Sequence, residues 1–388
     1  MQEAKPNVDE WKLLLKSVSR PELQSRYVRE IADLLYSLVR DNDSASALMV
    51  LEEAGTIAFN LWRTLSSEDE GGVETDWLTK AINHPAGILV EFWIKALSHT
   101  LSSKAPSERR LADDYRELFT SAIQDKTVAG GMGRAVLVGQ VAFLFRLDES
   151  WTREYIIPLF TSTDSVKCKQ AWDGFLIWGQ LYDVLADALK PAFLSAATRL
   201  NTDIIKNRRR FIELFTALAV FTVNDPTSDL LPALLQHGSV EDRNTFAYHL
   251  GVFLGNMSPA MRQSLWERWV YRYWKNRLTS TSVPLAEAEM KTMLDWLPRL
   301  GELFPAGVSL AISGSLGHLD HCSLIHEMRE SDLVIQFPDD TAELLIYLAP
   351  LLRRYHQADV LAIVDSLPVL EPHLKCKLDE SLARAGFK

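Results

Sequence analysis

Residues Ser264 to Leu278 read Ser-Leu-Trp-Glu-Arg-Trp-Val-Tyr-Arg-Tyr-Trp-Lys-Asn-Arg-Leu, three Trp and two Tyr with four cations set among them. At 3.6 residues per turn, Leu265, Trp266, Trp269, Val270 and Tyr273 fall on one face, while Arg268, Arg272 and Lys275 fall largely elsewhere. The stretch reads as an amphipathic helix whose aromatic face is either a docking surface or part of a core. Trp and Tyr bury large areas and anchor many interfaces, and interleaved arginines stack on exposed rings. A Trp stripe at helical spacing is nevertheless more often core between stacked helices. Taken as a surface, the helix offers Trp269, Tyr271, Arg272 and Lys275 as contact residues.

The same period runs along nearly the whole chain: Val28, Ile31, Leu35 and Leu38; Leu48, Leu51, Ala54, Ala58 and Leu61; Met290, Met293, Leu294 and Leu297. Strand-type alternation is nearly absent, and the best strand candidate, Leu333 to Phe337, is a short run before Pro338 that also fits a helical turn. Helix starts are marked by Ser19 with Pro21 and Glu22, by Ser239 with Asp242, by Ser258 before Pro259, and by His84 before Pro85. Prolines at Lys190-Pro191, Asp225-Pro226 and Val283-Pro284 mark expected helix ends. The fold class is all-α, and helices joined by short loops point to an irregular α-solenoid, a HEAT-like stack of helical hairpins in which each hairpin covers its neighbour's apolar face. No exact repeat period appears, and a compact multi-helix domain is the alternative. The longest polar break, Ser66 to Thr75, combines acidic residues with paired glycines and reads as a mobile surface loop. It separates an N-terminal helical segment, 1–65, from a repeat-like domain, 76–388, with which the first is potentially continuous.

A chain of 388 residues with 47% apolar content is long enough for more than one core. Its 41 cations against 51 acidic residues give a net charge of -10, a field that repels phosphate backbones and counts against nucleic acid as a partner. Cys168, Cys322 and Cys376 are odd in number and far apart, as expected of thiols in a reducing cytoplasm. The N-terminus lacks the basic and apolar pattern of a signal peptide. The most apolar window, Phe211 to Val223, contains Glu213 and falls short of the roughly 20 apolar residues a membrane span needs.

Candidate chemistry is sparse. On a helix, His318, Cys322 and His326 would lie one turn apart on one face and could grip a metal, with Asp320 and His321 nearby, yet no second ligand group follows at a zinc-type spacing. The run Ala129-Gly130-Gly131-Met132-Gly133-Arg134 could hold an anion at a helix start, but it has no Gly-Lys-Ser/Thr ending and no preceding strand. It reads better as an interhelix turn or a closely packed helix start. Lys206, Arg208, Arg209 and Arg210 form the strongest cationic cluster, at the start of an apolar helix whose dipole they oppose. An acidic partner, a phosphate or an internal ion-pair network would each satisfy it. No Ser/His/Asp set, paired-carboxylate site or metalloprotease motif emerges, and no cofactor is expected of this chain.

Three segments carry a resemblance: Asn83-His84-Pro85-Ala86-Gly87 leading to Glu91-Phe92-Trp93; Ala171-Trp172-Asp173-Gly174-Phe175-Leu176-Ile177-Trp178 with Lys190-Pro191-Ala192-Phe193-Leu194; and Trp266 to Arg277 with Met293-Leu294-Asp295-Trp296-Leu297-Pro298. Over about Trp77 to Phe304 the chain resembles the helical C-terminal region of bacterial sirtuin-like antiphage defence proteins. In that family, the resemblance implies, a sirtuin-like domain degrades NAD when the helical region detects infection. The glycine-rich start and strand-helix alternation of the sirtuin part are missing here, so no catalytic residue carries over.

The expected function is therefore a non-enzymatic helical sensor or scaffold of antiphage defence, binding a protein partner and controlling an NAD-degrading effector located elsewhere. Trp269, Tyr271, Arg272 and Lys275 are its first contact candidates and Arg208, Arg209 and Arg210 its second. An oligomer is compatible with the sequence. The alternative is a HEAT-like nucleic-acid-binding or DNA-repair enzyme with its site in a concave groove.

Overall fold

The computed structural model describes residues 7–41, 44–66, 76–202, 204–320 and 322–387, and every regular element among them is helical. The sole β feature there is an isolated bridge between Leu319 and Leu352. Leu333 to Phe337, the strand candidate, contains the short helix Leu333–Gln336, with Leu333 and Val334 buried. The expected mobile loop, Ser66 to Thr75, lies outside the described residues except for Ser66, which closes the helix Leu51–Leu65.

Local signals decide several helix ends. Ser239 and Asp242 form a reciprocal capping box, Ser258 accepts from the Met261 N–H ahead of Pro259, and the His84 imidazole accepts from the Ala86 N–H. Two expectations are corrected. Ser19 closes the helix Val8–Val18 rather than opening the next, which starts at Pro21 after an Arg20 cap that makes no side-chain bond. Pro191 lies inside the helix Asp183–Ala197 rather than after its end. Its missing N–H gives up one helical bond, but Leu189, Ala192, Phe193 and Ala196 on the same helix are buried, and their burial offsets that loss.

The chain divides into two compact units, Met1–Ala196 with Thr202–Phe211, and Ala197–Asn201 with Ile212–Lys388. The division lies away from the polar break, because helices on both sides of that break share a core: Leu51–Leu65 packs on Pro85–Ser102, with the Trp62 and Trp93 rings 5.4 Å apart. In each unit helices pack mostly on partners near in sequence, as in a helical stack.

The first unit is built around the helix Val128–Gly139, whose residues from Ala129 to Gly139 are all buried. A helix apolar all round belongs in an interior. Ser165–Trp178, Pro85–Ser102, Asp113–Gln124 and Trp77–Ala81 all pack on it. Gly174 allows the closest approach, since a Cβ there would stand 2.0 Å from the Ala135 carbonyl oxygen. Beside it Phe160, Phe193 and Phe211 ring Trp172 at 4.9 to 5.2 Å, edge to face. The bent pair Val128–Gly139 and Val141–Leu147 has the length and composition of a broken membrane span, but its residues are largely buried within the unit. No single helix among the described residues is long and apolar enough to cross a membrane.

In the second unit Val240–Asn256 packs on Glu287–Leu294, Phe304–Ile312 on Pro338–Leu348, and the latter on Pro372–Ala385.

Candidate interaction site

The aromatic helix is continuous from Pro259 to Thr279, with a π-helical turn over Trp266–Val270 in which the Tyr271 N–H reaches the Trp266 carbonyl. Its aromatic face is core. Trp266, Trp269, Val270, Tyr273 and Trp274 are buried, and Trp274 meets Trp296 at 5.2 Å while Tyr273 meets Phe246 at 5.7 Å. Trp269, fully buried, is thus not on a surface a partner could reach, because this face is what holds the helix to its neighbours. Tyr271, Arg272 and Lys275 lie outside.

The arginines of this helix are used internally. Arg268 donates to the Val220 carbonyl at 3.1 Å and Arg262 to the Leu254 and Met257 carbonyls, so both satisfy acceptors at or just past the ends of other helices. Arg272 pairs with Asp225 at 2.6 Å. Arg277 binds Glu289 through two nitrogens, at 2.8 and 2.9 Å, and also donates to the Val283 carbonyl. Arg243 reaches the same carboxylate at 3.4 Å. Glu289 is fully buried between the two guanidiniums. Burial works to lower the Arg277 pKa, and Glu289 outweighs it, so the guanidinium stays charged. The second unit is thereby pinned by a buried ion triad for which no local pattern prepares, since its members lie in three separate helices.

The cationic cluster is likewise partly engaged. Asn207 caps the helix Arg208–Phe221 by accepting from the Arg210 N–H, Arg208 and Arg210 are half-buried, and Arg209 is exposed. Lys206 pairs with Asp76 at 3.4 Å. Close by, the buried Asp173 accepts from the Trp77 N–H at 3.2 Å. Burial, helped by the Asp76 charge and opposed by that N–H and by Lys206 and Lys169, pushes the Asp173 carboxyl up to about 6. Its position ties the helix Ser165–Trp178 to the start of Trp77–Ala81, which is a structural role.

The candidate metal ligands do not form their ladder. The helix begins at Ser323, so His318 and Cys322 precede it and only His326 lies on it, while His321 is outside the described residues. Burial raises the Cys322 thiol to about 11, and no group of three or more His, Cys, Asp or Glu among the described residues is placed to hold a metal ion. The glycine run is not an anion loop either. It lies inside the helix Val128–Gly139 behind a Thr127 cap, with Gly131 against Trp77 and Gly133 against Trp62. Arg134 is buried there, donating to Gln170 and to the Ile123 and Asp125 carbonyls.

What the first unit leaves open is a groove of about 860 Å³. One wall is the face of Leu51–Leu65 that carries Leu51, Gly55, Phe59 and Trp62; the floor is Phe92, Trp93 and Ala96 of Pro85–Ser102; the far wall is Tyr115 and Leu118 of Asp113–Gln124. The walls meet at one end, where the Ser66 hydroxyl donates to Asp125 at 2.6 Å. Phe59 is 48% exposed, although it sits among apolar residues. Among the described residues the charges lining this groove of about 860 Å³ are acidic, Glu52, Asp114 and Glu117, while Arg63 lies beyond it, in the adjoining hollow at the Ser66 end. Burial, with Asp114 adding to it, raises the Tyr115 hydroxyl to about 12, so it remains a neutral donor and acceptor. No sequence signal drew these residues together, because each helix contributes only one spaced face.

A family model described as a domain of unknown function (DUF4020) matches residues 218–373, a region inside the second unit that contains the aromatic helix and the ion triad. No curated protein and no solved structure matches the chain.

Proposed function

We propose that this chain is an interaction protein of bacterial antiphage defence, a helical sensor or scaffold that binds a protein partner and controls an NAD-degrading effector located elsewhere. The groove of the first unit carries the reading: a contiguous apolar surface rimmed by charge and left open in a folded chain is the usual mark of a protein-binding face. The resemblance of Trp77 to Phe304 to the helical region of sirtuin-like defence proteins supplies the biological setting. Its acidic rim disfavours phosphate, and with it the nucleic-acid alternative. Of the contact residues read from the aromatic helix, Tyr271 and Lys275 remain exposed, with Arg272 tied to Asp225, and they serve as a second contact.

Control in this reading is a population shift. A partner changes effector output only to the extent that it binds two arrangements of the helical array unequally. The test is cellular NAD during phage challenge, in strains carrying the neighbouring effector with and without this chain. NAD falls on infection only when the chain is present; the same time course without it removes the proposal.

A further inference from the structure

We infer that the groove of the first unit receives a basic amphipathic helix of the partner protein, seated across Gly55. The inference rests on the interaction reading above and deepens it by naming what binds. Gly55 lies in the interior of the helix Leu51–Leu65, where glycine weakens a helix, and nothing among the described residues asks for it: a Cβ there would meet none of their atoms within 4 Å. The position faces the groove, so the space its missing side chain leaves belongs to whatever lies in the groove. A side-chain-free spot on a groove wall is what lets another helix approach closely.

The spacing of the walls matches such an occupant. Leu51, Gly55, Phe59 and Trp62 recur every three or four residues along one wall, and Tyr115 and Leu118 do so along the other. Two helical faces over an aromatic floor form a trough suited to a third helix, whose own apolar stripe would lie on Phe59 and Trp93. Charge fixes the class of helix. Glu52, Asp114 and Glu117 are the lining charges, and none makes an ion pair among the described residues, so cations flanking the incoming stripe complete them. A second copy of this chain, at net charge -10, is a poor match to that rim, and so is its own stretch with Glu68, Asp69, Glu70 and Glu74.

The probe is a labelled synthetic peptide of about 18 residues, helical with Leu at i, i+3, i+4 and i+7 and Lys elsewhere, against a twin with Glu in place of Lys. Anisotropy with the full chain reads binding. The Lys peptide binds and the Glu peptide does not, and Gly55→Leu weakens the Lys peptide about tenfold or more, some 1.4 kcal/mol, while its melting temperature stays at or above that of the parent. The exposed pair Glu52→Lys with Glu117→Lys, which perturbs no core, weakens it by a similar factor and relieves exclusion of the Glu peptide. Equal binding to a folded Gly55→Leu, or equal affinity for the two peptides, overturns the inference. Self-association by sedimentation that Gly55→Leu abolishes overturns it too, making a second copy the occupant. Failure here is separable from failure of the interaction reading: a Gly55→Leu copy that restores infection-linked NAD loss to a deletion strain removes the groove and keeps the reading.

Discussion

Replacing Glu289 with Ala tests the account of the second unit most directly. The carboxylate is fully buried and receives Arg277 through two nitrogens at 2.8 and 2.9 Å and Arg243 at 3.4 Å. Removing it leaves two guanidiniums with little solvent and no counter-charge, a change that costs about 3–5 kcal/mol when one partner of a buried pair is deleted. Glu289→Gln keeps the shape and one acceptor but loses the charge, for about 1.5–3 kcal/mol, the range of a hydrogen bond to a charged group. Replacing Arg277 and Arg243 by Met together with Glu289→Leu returns much of the loss, since well-packed apolar side chains tolerate the same space. Because the chain has two units, the readout must be local. Amide exchange across Val240–Asn256 and Glu287–Leu294 in Glu289→Ala accelerates by roughly a hundredfold to several thousandfold, the factor those energies imply. A loss under about 1 kcal/mol, or a triple variant no better than Glu289→Ala, would show that the triad is not what holds these helices together.

Three further outcomes follow from the first unit. Gly174→Ala sets a Cβ 2.0 Å from the Ala135 carbonyl oxygen and forces two core helices apart, lowering stability by about 3 kcal/mol in urea melts; a change near zero would mean the helices part freely. Gly55→Ala meets no atom and raises stability by about 0.5–1 kcal/mol in the same assay, whereas a loss would reveal a hidden contact at that wall. Asp173 is held at about 6 in the fold against an ordinary 3.8, so the native chain keeps its proton longer than the unfolded one. Its contribution therefore declines as pH rises from about 3.8 to about 6, and the penalty is complete above that. Asp173→Asn gains melting temperature over the parent at about pH 8 and little at about pH 4, and an equal gain at both values would contradict the burial argument.

The all-helical class was legible because apolar spacing repeats at 3.6 residues wherever a helix buries one side, and that signal survives without any exact repeat. Caps were legible where one residue has one role, as at Ser239 and Ser258. At Ser19 two helices compete for the same hydroxyl, which donates to the Lys16 carbonyl of the earlier one, and at Pro191 the burial of Phe193 and its neighbours overrides the backbone preference. For the aromatic helix, periodicity established which residues share a face but not what covers it. The cations that resembled a ligand surface turned out to serve Val220, Asp225 and Glu289, partners far along the chain that no local window contains.

The groove shows the same limit from the other side. Gly174 and Gly55 both sit inside helices rich in apolar residues, and the sequence around them offers no way to tell them apart. At Gly174 the neighbouring backbone already fills the space a side chain would take, so glycine is required by the fold itself. At Gly55 the space is empty of the described residues, so their packing alone would be better served by alanine. A mid-helix glycine that the chain's own packing does not use, on the wall of an open apolar groove, is a cost with no return inside the molecule. A partner backbone lying against that wall is the contact that would recover it, and the opposite signs expected for Gly174→Ala and Gly55→Ala separate these two uses of one residue before any partner is in hand.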